Sequence, residues 1–234
     1  MRSDLEKTTH EFAAMLAHNG ATPAAVGYPN ATDLATRYEL MLAPLDSMKS
    51  STRPIRLLDL GCGPGLLIDY LVENGFYSRI DYLGVDVVPE SIQAARARLP
   101  GSRFDLRDVR DQPFGENAFD YAIISGVFTY RSRLDYRSME TMVHETLCAV
   151  WPSVELGLTF NVMSKHVDWE RDELFHWPLD DLMTFCKSNL SRHVSLRLDY
   201  GPWETVALVM KAPITVRSKI PQRWFQKGGQ TKSR

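Results

Sequence analysis

Long apolar runs are missing from this sequence. None of its 234 residues belongs to a hydrophobic stretch approaching the roughly 18 residues a membrane span requires, so no transmembrane segment is expected. Cysteine is scarce. Cys62, Cys148 and Cys186 are odd in number and widely spaced, with neither paired zinc-ligand spacing nor a redox pair; they read as reduced thiols, and no metal site is implied. The opening residues Met1 to Lys7 lack the apolar core and small-residue cleavage site of a secretory signal, and a cytoplasmic location is expected. A large excess of one charge is also lacking, since the net charge is -2. No internal repeat is visible.

What is present fits one medium-sized globular domain, with 44% hydrophobic and 24% charged residues. Charge is nevertheless uneven. Residues 211–234 hold seven of the 27 Lys/Arg and none of the 29 Asp/Glu, so an acidic body precedes a basic tail. That tail, with Gly228-Gly229 and interspersed Ile220, Trp224 and Phe225, reads either as a disordered extension or as a surface for an anionic partner such as RNA or a membrane face. The expected division is a helical lid over 1–50, a main domain over 51–211 and the tail over 212–234.

In the lid, Leu5, Phe12, Met15 and Leu16 share one helical face, and Asn19-Gly20 is a stop signal. A second helix is expected with Thr32 as N-cap and Leu34, Tyr38, Met41 and Leu45 at helical spacing. From Ile55 the pattern changes to short apolar runs alternating with helical segments, the signature of βαβ units. Strands are predicted at Ile55 to Leu60, Tyr82 to Val85, Ser102 to Leu106, Phe119 to Ser125 and Val154 to Phe160. Two more, Val194 to Tyr200 and Glu204 to Met210, are separated by Gly201-Pro202 and read as an antiparallel hairpin. The expected fold is α/β: a doubly wound, Rossmann-like, seven-stranded mixed sheet, parallel except near its final strand, with helices on both faces.

The informative segment is Leu57 to Leu67, an apolar strand followed by Asp59 and by Gly61, Gly63 and Gly65 in G-x-G-x-G spacing, then a helix. Glycines let a backbone turn sharply and approach a ligand closely, and open α/β sheets bind ligands at the carboxyl ends of their strands. A nicotinamide dinucleotide is the rival ligand. Its fingerprint is G-x-G-x-x-G, whereas here the final position is Leu66, and Asp59 would repel a pyrophosphate that favours free N–H groups. An acid suits a cationic ligand instead.

The string resembles the glycine-rich motif of class I S-adenosylmethionine-dependent methyltransferases, over roughly Ile55 to Met210. The resemblance implies that Asp59 and the turn with Gly61, Cys62, Gly63 and Gly65 lie against the methionine part of the cofactor, and that Asp86 with Val87 takes the ribose hydroxyls as an acceptor-only carboxylate. It further implies that Asp108 and Val109 meet the adenine, although Asp105 and Asp111 compete for that role, and that Ser125 borders the cofactor. Gly27-Tyr28, Arg37-Tyr38, Ser125 to Phe128, Phe160-Asn161 and the closing Asp199-Tyr200 with Glu204 resemble a set of bacterial small-molecule methyltransferases.

Methyl transfer is an in-line displacement in which positioning supplies roughly 7 to 11 kcal/mol and a general base about 3 to 5. Candidate substrate residues are Tyr28, Arg37, Phe128, Tyr130 and Asn161, with Trp169 nearby. Arg37 is suited to a carboxylate or phosphate, or to a surface ion pair; Tyr38 and Phe128 equally suit core packing. His166, an imidazole in a polar loop, is the candidate base beside Tyr38. The expected reaction is methylation of an oxygen or nitrogen of a small metabolite. DNA is not expected as a partner: the Asn/Asp-Pro-Pro-aromatic run that base methyltransferases tend to carry is replaced by Ser125 to Phe128, and the acidic body repels phosphate. A catalytically silent cofactor-binding subunit and an RNA-directed enzyme using the tail are the alternatives.

Overall fold

The structure, a computed structural model, describes residues 2–28, 30–48 and 52–213, the side chains of 2–8 and 46–48 excepted. The elements in chain order are α1 (Arg2–Asn19), α2 (Ala31–Leu42), β1 (Ile55–Leu60), α3 (Leu66–Glu73), β2 (Ile80–Asp86), α4 (Pro89–Arg98), β3 (Arg103–Leu106), β4 (Phe119–Phe128), α5 (Tyr136–Val150), β5 (Val154–Ser164), β6 (His176–Trp177), α6 (Leu179–Phe185), β7 (His193–Arg197) and β8 (Glu204–Met210). Seven strands form one sheet in the order β3-β2-β1-β4-β5-β8-β7, and β6 pairs with the end of β5. Only β8 runs against its neighbours, pairing antiparallel with both β5 and β7.

Alternate residues of each strand feed two cores. Leu57, Tyr121, Ile123, Val206 and Leu208 face α2, α3 and α4 through Tyr38, Met41, Leu67, Leu71, Ile92 and Ala95. Their neighbours Leu58, Ala122, Ile124, Ala207 and Val209 face α5 and α6 through Met139, Val143, Leu147, Leu182 and Phe185. Both faces of the central strands are therefore covered, which is why they read as continuous apolar runs.

Local signals set the boundaries. Pro89 opens α4 at its first turn, Asp135 caps α5 by accepting the Ser138 N–H at 2.8 Å, and Gly20, with φ of 62°, follows the last residue of α1. Several boundaries differ from the sequence expectation; β2, for one, runs Ile80–Asp86 rather than Tyr82 to Val85. The cap of α2 is Asn30, whose Oδ1 accepts the Asp33 N–H at 2.8 Å, rather than Thr32. Strand β4 continues past Ser125 to Phe128 because a register irregularity at the left-handed Gly126 (φ 80°) lets the chain bulge and rejoin β5. Strand β5 likewise runs on to Ser164, where β6 completes its pairing. Strand β7 ends at Arg197, so the connection to β8 spans 198–203 rather than a tight turn at Gly201-Pro202. The tail beyond residue 213, with Ile220, Trp224 and Phe225, lies outside the described residues. Among the described residues no helix is long and apolar enough to cross a membrane.

Candidate functional site

The strand order reverses between β1 and β4, and a crevice opens at their carboxyl ends, as expected at such a switch point. The chain leaves β1 into the glycine turn. Gly61, Gly63 and Gly65 all take positive φ, at 74°, 52° and 83°. The turn is tied to β2: the N–H groups of Gly61 and Cys62 donate to the Val85 carbonyl at 2.7 and 3.0 Å, and the Gly63 N–H donates to Asp86 Oδ2 at 2.8 Å. The other Asp86 oxygen accepts the Val88 N–H at 2.9 Å. Asp86 therefore locks the two strand ends together while both oxygens retain lone pairs for a ligand.

Asp59 and Asp86 are both buried and both line the resulting cavity. Burial pushes the Asp59 carboxyl up to about 7; a 2.6 Å hydrogen bond from the Tyr82 hydroxyl opposes this, and the nearby Asp86 charge adds to it. Asp86 is also raised by burial, against the pull of its backbone donors. Two partly desolvated acids side by side form a site short of positive charge. Ser125 adds a buried hydroxyl with no hydrogen-bond partner on the same cavity wall. Asp108 differs: burial works upward on it, but the Arg110 guanidinium and N–H hold it below the usual carboxylate range.

A lid covers this crevice. Phe12 and Leu16 of α1 and Val26 of the 3₁₀ turn Pro23–Val26 line its outer side. Phe12 packs edge-on against Tyr130 at 5.9 Å, and Glu11 accepts the Ser132 hydroxyl at 2.5 Å and the Tyr130 hydroxyl at 3.3 Å.

The cavity brings together most of the residues singled out in the sequence: Asp59, Gly61, Cys62, Gly63, Asp86, Val87, Asp108, Val109, Ser125, Tyr28, Tyr38 and Tyr130 line it. Six others stand outside its wall. Gly65 begins α3, where an added Cβ would fall 2.9 Å from Leu99 and 3.1 Å from Phe104, so it serves helix packing. Phe128 is fully buried in the core against Phe160, carried there by the extended β4. Arg37 is also fully buried; it donates to Glu204 at 2.8 and 2.5 Å and stacks 3.6 Å from the Tyr28 ring centroid. Asn161 accepts the Gly126 N–H at 2.8 Å and donates to Glu204 at 2.9 Å, bracing the wall from behind. His166 is exposed, beyond the end of the lengthened β5, and Trp169 packs edge-on against Trp203 at 5.8 Å.

Some contributors carry no signal in the sequence. Tyr82 reads only as a strand residue, and Glu11 and Phe12 only as members of a helix. Glu204 stands in the closing hairpin, but nothing local to it names Arg37 as its partner.

A family profile described as a methyltransferase domain matches residues 57–148. A Mycobacterium tuberculosis protein named as a methyltransferase is 34% identical over 161 residues, covering 68% of this chain and 95% of that protein. The crystal structure of magnesium protoporphyrin IX methyltransferase from Synechocystis PCC 6803 with bound S-adenosylhomocysteine shares the fold at a TM-score of 0.56 and 13% identity, over 77% of this chain and 84% of that one. A TehB-like S-adenosylmethionine-dependent methyltransferase from Corynebacterium glutamicum does so at 0.51 and 18% identity, over 88% and 98%. With the glycine turn, the paired acids and the switch-point cavity in place, this chain belongs to the class I S-adenosylmethionine-dependent methyltransferases.

Proposed function

We propose that the enzyme methylates an oxygen or nitrogen of a small metabolite. In this reading the cofactor is held by Asp59, the turn of Gly61, Cys62 and Gly63, Asp86 with Val87, Asp108 with Val109, and Ser125, and the acceptor lies against Tyr28, Tyr38 and Tyr130. The observation that carries it is partial cover: the cavity that contains both buried acids is also lined by α1 and the turn at Val26, so a small acceptor bound there is held beside the cofactor and partly shielded from water.

S-adenosylmethionine, when bound, supplies an electrophilic methyl group on a sulfonium. The residues present fit it: Asp59 offers negative charge to a cationic ligand, Asp86 has lone pairs free for two hydroxyl donors, and Ser125 has an unpaired hydroxyl. Burial, with the Asp59 charge beside it, holds the Tyr38 phenol well above its ordinary pKa, so at neutral pH it donates a hydrogen bond and does not take a proton. Tyr28 is raised likewise, by burial first and Glu204 second. The chain therefore contributes by orienting and desolvating, a larger effect than general-base catalysis in reactions of this kind.

Methyl-tritiated S-adenosylmethionine incubated with the full-length enzyme and a fractionated cell extract tests the reading. Label is expected in the fraction below about 1 kDa, the drug-sized range that enclosed pockets bury. Label confined to RNA or to protein would overturn it.

A further inference from the structure

Resting on that reading, we propose that the acceptor is an uncharged, mostly apolar molecule and that the cavity excludes carboxylates and phosphates. An anion taken out of water requires a cation or several converging donors. Among the described residues, the cations lining the cavity are Arg107 and Arg110, and each already holds an acid. Arg107 Nε donates to Asp105 at 2.8 Å, with its guanidinium 4.3 Å from the Phe114 ring centroid. Arg110 grips both oxygens of Asp108 at 3.0 and 2.6 Å.

A third cation stands directly behind the wall. The Arg37 guanidinium lies against the inner face of Tyr28, whose ring separates it from the cavity it would need to enter to hold a substrate carboxylate. Glu204 occupies its Nε and Nη2 edge, so the chain provides internally the carboxylate that this edge recognises, while Nη1 is buried without a hydrogen-bond partner among the described residues. Of the three acids lining the same space, Asp108 is matched by Arg110, and Asp59 and Asp86 have no cation bonded to them among the described residues, so no net positive charge faces a further anion.

The surface left to an acceptor is apolar. Phe12, Leu16, Leu34 and Met142 line it beside Tyr28, Tyr38 and Tyr130.

The test uses two aromatic probes of one shape, 2-naphthol and 2-naphthoate, titrated calorimetrically into the full-length enzyme at neutral pH after saturation with S-adenosylhomocysteine. The naphthol is expected to bind at least about tenfold more tightly than the naphthoate, and Phe12→Ala to weaken it by about threefold or more. A smaller preference, a preference for the anion, an unaltered affinity in Phe12→Ala, or no binding of either probe would each overturn the inference. The saturation step separates it from the broader reading: failure of S-adenosylhomocysteine to bind defeats the cofactor site itself, whereas normal saturation followed by anion preference defeats only the acceptor class.

Discussion

Arg37 and Glu204, 167 positions apart in sequence, form a bidentate ion pair whose side chains are 1% and 7% exposed. It joins the lid helix α2 to strand β8, and Asn161 extends it to the Gly126 turn on the cavity wall. The Glu204 carboxyl is raised by burial, which outweighs the stabilising Arg37 charge, so this pair is held by packing as much as by attraction.

Removing one partner leaves the other charged, buried and unmatched. Glu204→Ala should destabilise the protein by about 3 to 5 kcal/mol in urea unfolding, whereas the double replacement Arg37→Met with Glu204→Leu should cost far less than either single change alone. Additive losses in the double variant would show that the two residues act independently.

The glycine turn makes a sharper demand. Gly61 has φ of 74°, and a Cβ there would fall 2.1 Å from Cγ2 of Val127. Gly61→Ala should cost about 1 to 2 kcal/mol from the left-handed backbone alone, and by displacing the turn should weaken S-adenosylhomocysteine by about tenfold or more. Gly101→Ala is the matched control, because its position is open and its φ ordinary. Equal behaviour of the two variants in calorimetry would contradict the placement of the turn.

Most of the proposed cofactor half of the site is legible in the sequence because its chemistry is local. The apolar run before Asp59, the three glycines after it and the acid ending β2 sit in consecutive βα units, and the parallel sheet brings them together without distant pairing. The acceptor half is less legible. Arg37 suggested a substrate carboxylate or a surface ion pair, and the structure makes it neither. One signal was available: Leu34, Arg37, Tyr38 and Met41 follow i, i+3, i+4, i+7 spacing, which sets Arg37 inside the apolar stripe of α2, where a charge must find a partner. That the partner is Glu204 depends on β8 lying beside β5, a topological fact no local pattern contains. Phe128 and His166 were displaced from the expected pocket for one reason, the extension of β4 and β5 beyond where their alternation fades.

Asp59 should couple cofactor binding to pH. Its folded-state pKa, about 7, lies above the ordinary 3.8, so the folded protein without cofactor binds the extra proton. The stability this confers is complete below the ordinary value and lost as pH rises through about 7. Thermal stability of the ligand-free protein should therefore carry a component that falls over that window and is absent in Asp59→Asn. Binding of the cationic cofactor at about pH 6 should release close to one proton, seen as a dependence of calorimetric enthalpy on buffer ionisation, and about none near pH 9. A release that is the same at both values would assign the linkage to another group.

Asp86 performs two tasks that two substitutions can separate. It braces the glycine turn by accepting the Gly63 and Val88 N–H groups, and in the proposed site it also accepts the ribose hydroxyls. Asp86→Ala removes both functions: two backbone donors lose their partner, at about 1 to 3 kcal/mol each where they stay buried, and cofactor affinity falls as well. Asp86→Asn keeps an oxygen for one backbone donor but loses the charge and half the acceptor capacity. The Asn variant should thus recover much of the unfolding midpoint while still binding S-adenosylhomocysteine about tenfold or more weakly than the parent. If stability and affinity instead recover together, the role of Asp86 is to hold the turn, and the ribose contact belongs to another residue.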